Sequence, residues 1–156
     1  MPDAIIHLTV NGVEREFALE HNVTLADALR EQARTTSVHQ GCEHGVCGAC
    51  NVYLDGQVVR SCLTLAAACD GAAVTTLEGL NDPTATALKA AMHQHHGLQC
   101  GFCTPGMVIT GHDMLSRGLC QSEPEIRQQL CGNICRCTGY QGIVRAIAHT
   151  REEIKS

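Results

Sequence analysis

Cys42, Cys47 and Cys50 stand in one glycine-rich run, Gly41-Cys42-Glu43-His44-Gly45-Val46-Cys47-Gly48-Ala49-Cys50. The C-x4-C-x2-C spacing is that of a loop that binds a [2Fe–2S] cluster and needs a fourth, more distant cysteine to close the thiolate set. Cys62 is the candidate. Glycines at 41, 45 and 48 let such a loop approach inorganic sulfide closely and adopt positive φ at low steric cost. Successive backbone N–H groups can then point at an anionic cluster.

A second set of thiols lies further along, in Gln99-Cys100-Gly101-Phe102-Cys103-Thr104-Pro105-Gly106 and Asn133-Ile134-Cys135-Arg136-Cys137-Thr138-Gly139-Tyr140. Both cysteine pairs are expected immediately before helices. Helix N-termini offer an anionic cluster free N–H donors and the positive end of the macrodipole. Spacing leaves a choice open, because Cys131/Cys135 competes with Cys135/Cys137, and a zinc site built on Cys100 and Cys103 competes with both.

Composition sets the frame for these motifs. The chain has 156 residues and eleven cysteines, with a formal net charge of −5 and no tryptophan. An odd cysteine count and the absence of a cationic, apolar leader argue against a secreted disulfide scaffold. The thiols are therefore expected in a reducing cytoplasm, binding metal. No basic block suggests nucleic-acid binding, and no apolar stretch approaches a membrane span. Each half is small for a hydrophobic core alone, so metal sites would also staple the fold.

The elements that must position these thiols can be read in order. Ile6, Leu8 and Val10 alternate, Asn11-Gly12 turns the chain, and 13–19 returns as a second strand. Thr24 caps a helix over about 25–34, with Asp27 standing in the capping-box position. After the cysteine loop come strands at 51–54 and 57–60 around Asp55-Gly56, and a last strand at 72–77. Two hairpins flanking one helix resemble the β-grasp of plant-type ferredoxins. Asn81-Asp82-Pro83 marks a break, and four helices follow at about 84–96, 106–117, 122–130 and 141–153. Ser122 with Glu125 forms a capping box for the third of these.

The motifs at 41–50, Ser61-Cys62-Leu63, 99–106 and 132–140 together resemble the small iron–sulfur subunit of the xanthine oxidase family of molybdenum hydroxylases. The resemblance spans about 5–147. It implies an α+β chain: a β-grasp [2Fe–2S] domain over 1–78, then a four-helix bundle with a second [2Fe–2S] cluster over 79–156. It implies Cys42, Cys47, Cys50 and Cys62 as ligands of one cluster. Cys100, Cys103, Cys135 and Cys137 would hold the other, nearest the molybdenum. It further implies that Gln99 and the Cys137 region contact the molybdopterin of a large partner subunit.

The chain shows no catalytic constellation of its own. On the family reading it is a wire, passing electrons singly from the partner's molybdenum centre to FAD on a third subunit or to an external acceptor. The implied assembly is a hetero-oligomer, with a dimer of heterotrimers as one arrangement. A freestanding two-cluster ferredoxin is the alternative. Among the remaining cysteines, Cys69 reads as a small buried hydrophobe, Cys120 as a surface or loop thiol, and Cys131 as packed at a helix end near the cluster. His93, His95 and His96 read as the solvated side of a helix. Arg136 reads either as a charge that raises the cluster's potential or as a salt-bridge partner for another subunit.

Overall fold

The computed structural model describes residues 3–155. Alternating apolar residues make β1 (Ala4–Val10) and β2 (Val13–Leu19), which pair antiparallel along their whole length. Asn11 and Gly12 both take positive φ, as a two-residue type I′ turn requires. The helix α1 (Leu25–Glu31) starts at Thr24, whose hydroxyl accepts from the Asp27 N–H at 3.1 Å and donates to the Asp27 carboxylate at 2.5 Å. It is three residues shorter than the periodicity suggests. Arg34 turns into the left-handed region, and the Thr35 N–H takes the Leu29 carbonyl, which ends the helix.

The second hairpin joins β3 (Asn51–Leu54) and β4 (Gln57–Arg60) through Asp55-Gly56, again with two positive φ values. A short β5 (Ala73–Thr75) completes a five-stranded mixed sheet in the order β2-β1-β5-β3-β4. β5 runs parallel to β1 and antiparallel to β3. The strand expected to reach residue 77 stops at 75, and Leu77–Gly79 coils into a 3-10 turn.

Four helices follow: α2 (Pro83–Gln94), α3 (Thr104–Ser116), α4 (Glu123–Gln129) and α5 (Gln141–Lys155). Asp82 caps α2 through its carboxylate to the Ala85 N–H, with Pro83 at the first turn where its missing donor costs nothing. Ser122 and Glu125 close the capping box of α4 in both directions. α3 begins two residues earlier than expected, with Cys103 as its N-cap. Among the described residues no helix is long and apolar enough to cross a membrane.

The buried apolar side chains form two clusters. One joins the sheet and α1 through Ile6, Leu8, Phe17, Leu25, Leu29 and Val52, and includes Cys50 and Cys62. The other lies among the four later helices, around Leu88, Met107, Ile109, Ile126, Ile143 and Ile147, and includes Cys103 and Cys135. Each apolar cluster thus runs up to one set of thiols.

Candidate iron–sulfur sites

The two thiol sets are built by different local devices. In the first, the 41–50 loop wraps around its own sulfurs, and the Val46 and Cys47 N–H groups point at Cys42 Sγ from 3.3 and 3.4 Å. Cys62 enters from the 3-10 turn Ser61–Leu63 at the end of β4, anchored by the Ser61 hydroxyl on the Cys50 carbonyl at 2.6 Å. In the second set, Cys103 sits at the start of α3, as expected. Cys135 and Cys137 do not border α5. Gly139 and Tyr140 both turn through positive φ before that helix begins. The Tyr140 hydroxyl instead fixes this loop: it accepts from the Cys135 N–H at 2.9 Å and donates to the Asn133 carbonyl at 3.2 Å.

Within each set the thiols meet two by two. Cys42 adjoins Cys47, and Cys62 adjoins Cys50. Cys137 and Cys100 lie 3.5 Å apart, and Cys103 adjoins Cys135. Among the described residues no three His, Cys, Asp or Glu side chains close on a single ion. A structural zinc would draw four sulfurs to about 2.3 Å from one point. Two adjoining pairs of thiols instead offer four sulfur donors spread over more than one point, which would suit a binuclear iron–sulfur cluster better than a single ion.

The proton affinities agree with that donor set. Cys42 is held down at about 6 by the Cys47 and His44 N–H groups, so it ionises readily. Burial, then the Cys62 thiol's contact as donor with Cys50, pushes Cys62 up to about 11, and burial with the Cys135 contact pushes Cys103 up to about 12. Cys135 is lowered because bonds from Thr138 and the loop N–H groups outweigh its burial. Cys62 and Cys103 would give up their protons on binding a cation, whereas Cys42 and Cys135 already favour the thiolate. All four are soft sulfur donors of the kind a metal cluster takes.

The two sites adjoin. A cleft of about 250 Å³ is lined from one side by Gly41 and Cys47 and from the other by Cys100, Cys103, Cys135 and Cys137. The Ile134 N–H bonds the Cys47 carbonyl at 2.8 Å, linking the residue before one ligand candidate to another. Gly48 and Gly106 make this approach sterically possible: a Cβ at Gly106 would sit 2.0 Å from the Gly48 carbonyl oxygen. His39 stacks on Phe102 with ring centroids 4.7 Å apart and bonds its carbonyl at 2.7 Å.

Comparison with known proteins follows this division. Residues 8–78 match the family described as 2Fe-2S iron-sulfur cluster binding domain, and residues 76–148 match the one described as [2Fe-2S] binding domain. The nicotine 6-hydroxylase small subunit of Paenarthrobacter nicotinovorans is 47% identical over 142 residues, covering 91% of this chain and 86% of that one. The caffeine dehydrogenase subunit gamma of Pseudomonas sp. (strain CBB1) is 48% identical over 151 residues, covering 94% and 90%. This chain belongs to the small iron–sulfur subunits of the molybdenum hydroxylases. Among solved structures, quinoline 2-oxidoreductase from Pseudomonas putida 86 superposes with a TM-score of 0.89 at 43% identity, covering 97% of the iron–sulfur subunit and 96% of the matched chain.

The iron–sulfur subunit is thus the electron-transfer component of an oxidoreductase complex whose substrate chemistry lies on another subunit. Its remaining candidates fall as follows. Gln99 is exposed beside exposed Cys100 and Cys137, and its amide makes no hydrogen bond among the described residues. Arg136 is exposed and likewise unpaired. Cys69 is buried, as read. Cys120 is buried too, against expectation, because its thiol turns inward to donate to the Met114 carbonyl at 3.6 Å. Cys131 is exposed rather than packed; its thiol bonds back to the Arg127 carbonyl at 3.5 Å. His93 and His96 are exposed, but His95 is half-buried against His149, ring centroids 4.9 Å apart.

What sequence reading missed is the polar seam between the sites. Arg60 donates to the carbonyls of Gly45 at 3.1 Å and Gly132 at 2.6 Å, and to the Asn51 side chain. Tyr53 bonds His112 at 2.7 Å, and His112 pairs with Asp82 at 2.9 Å. Burial raises the Tyr53 phenol well above its ordinary range, with Asp113 and Asp82 adding to the effect, so it stays a neutral partner. None of these residues carries a local motif.

Proposed function

We propose that this subunit folds as a β-grasp domain over 1–78 and a four-helix bundle over 79–156, each holding one [2Fe–2S] cluster. Cys42, Cys47, Cys50 and Cys62 hold the first, and Cys100, Cys103, Cys135 and Cys137 the second. When bound, these groups supply one-electron transfer between a partner's molybdenum centre and a second acceptor. The separate apolar clusters support the division, and the paired thiols support the ligand sets.

The observation that carries the polarity of the wire is exposure. Cys50 and Cys62 are buried, and Cys42 and Cys47 are partly covered, whereas Cys100 and Cys137 open to the surface beside Gln99. A free glutamine amide offers a donor and an acceptor on one edge, which suits a pterin. Gln99 and Cys137 therefore face the molybdopterin of a large subunit. Exposed Val46 and Leu63, at 51% and 63%, flank the first site and suit docking of an FAD-binding subunit or an external acceptor. The assembly is a hetero-oligomer, such as a dimer of heterotrimers. Eleven free thiols suit a cytoplasmic location.

Purification of the tagged chain from its host, with metal analysis, tests this. A large partner should co-purify with molybdenum and about four irons per small chain, as two binuclear clusters require. Gln99→Ala should keep the iron and lose molybdenum cofactor or turnover. A chain that emerges alone with iron and no molybdenum would establish the freestanding ferredoxin instead. Zinc without iron would overturn both.

A further inference from the structure

The seam between the sites contains a directional chain of hydrogen bonds that ends on an unused donor. Arg60 only donates, so its bond to Asn51 Oδ1 fixes the Asn51 amide with Nδ2 facing α3. There Asn51 Nδ2 donates to Thr110 Oγ1 at 2.8 Å, and the Thr110 hydroxyl in turn donates to Asn133 Oδ1 at 3.1 Å. That turns Asn133 Nδ2 away from Thr110. Asn133 is only 5% exposed, and its Nδ2 has no partner among the described residues.

An orphaned buried N–H is costly and rare, and it calls for an acceptor that the protein atoms do not supply. The place of Nδ2 narrows the choice. It lies 2.7 Å from the point where a Cβ on Gly48 would stand, against the turn that joins Cys47 to Cys50. Asn133 itself belongs to the loop that carries Cys135 and Cys137. The donor therefore comes from one cluster loop and faces the other.

On the functional reading above, we infer that Asn133 donates a hydrogen bond to a sulfur of the cluster held by Cys42, Cys47, Cys50 and Cys62. Asn133 is a positioning residue: a hydrogen bond to sulfur stabilises the more negative, reduced cluster and raises its potential. The polarised chain from the Arg60 cation strengthens that donor. The helical half of the chain thereby sets the potential of the site in the sheet half.

The test is an EPR-monitored redox titration of the purified complex, with Cys137→Ser used to identify the first-site signal. Asn133→Ala should keep both signals and lower the first-site potential by the order of a tenfold change in its reduction equilibrium, about 59 mV for one electron. The second-site potential should stay where it is. Thr110→Val, which frees the amide without removing it, should shift the same signal in the same direction by less. It carries the test if Asn133→Ala fails to load iron. An unmoved first-site potential in variants with both signals intact overturns the inference, as does a shift confined to the second site. A wild-type complex without two binuclear signals overturns the functional reading itself.

Discussion

Gly106→Ala is expected to destabilise the chain, although it places the best helix former in the first turn of α3. Helix propensity alone favours Ala over Gly by about 0.8–1.0 kcal/mol. The added methyl, however, would lie 2.0 Å from the Gly48 oxygen, 3.0 Å from its carbonyl carbon and 3.1 Å from the Ala49 Cα. These are backbone atoms, and the closest approach falls short of ordinary van der Waals separation by more than about 1 Å. Relief requires the 41–50 loop and α3 to part, with overpacking worth about 1–3 kcal/mol. It also strains the bond from Ile134 to the Cys47 carbonyl, worth about 1 kcal/mol. With the propensity gain subtracted, a net loss of about 2 kcal/mol remains. For a chain of this size that lowers Tm by roughly 4–8 °C. Matched thermal scans of wild-type and variant complexes, with iron content measured on each, give the comparison. A Tm equal to or above wild type would show that propensity governs this position and that the seam is loose.

Two further outcomes are expected. Cys137→Ser should remove one of two [2Fe–2S] EPR signals and leave the other assembled; loss of both, or of neither, would contradict the ligand sets. Glu78 is exposed but partly desolvated, which would raise its pKa, yet the Ser37 and Thr76 bonds outweigh that and hold it below the usual range. A depressed carboxylate stabilises the fold above its unfolded value, about 4.3, and that contribution is lost as pH falls through the folded value. Glu78→Gln should therefore flatten the loss of Tm with acid relative to wild type over this window. An unchanged slope would show that the Ser37 and Thr76 bonds contribute nothing to pH dependence.

The thiol motifs were legible because their chemistry is local. A cluster loop must supply several ligands and tight turns within ten residues, and that requirement is written directly into 41–50. The same holds for Asn11-Gly12, Asp55-Gly56, Thr24 and Ser122, where a turn or a cap is settled by two to four adjacent residues. The parallel pairing of β1 with β5 was not legible, since it joins residues some sixty positions apart through only two registered pairs. Cys120 was misread for a related reason: its loop position says surface, whereas its burial depends on the Met114 carbonyl and on Arg151 reaching back from α5 to the Cys120 carbonyl. The Tyr140 turn was missed because a tyrosine at φ +67 leaves no signature in sequence. Its bonds to the Cys135 N–H, the Asn133 carbonyl and the Thr138 hydroxyl hold it there.

The same long-range logic explains why the functional centre of this subunit is the contact between its two halves. Each set of thiols lies against its own apolar cluster. Neither loop by itself would fix how far one site lies from the other. That distance is set by Gly48 against Gly106, by Ile134 on Cys47, and by Arg60 holding Gly45 and Gly132 at once. Arg60 is two residues from Cys62, and Gly132 three from Cys135, so a single guanidinium spans the segments that carry candidate ligands of both sites. A subunit whose task is to pass electrons between two centres needs that distance fixed, and glycines that admit backbone-to-backbone contact help to fix it.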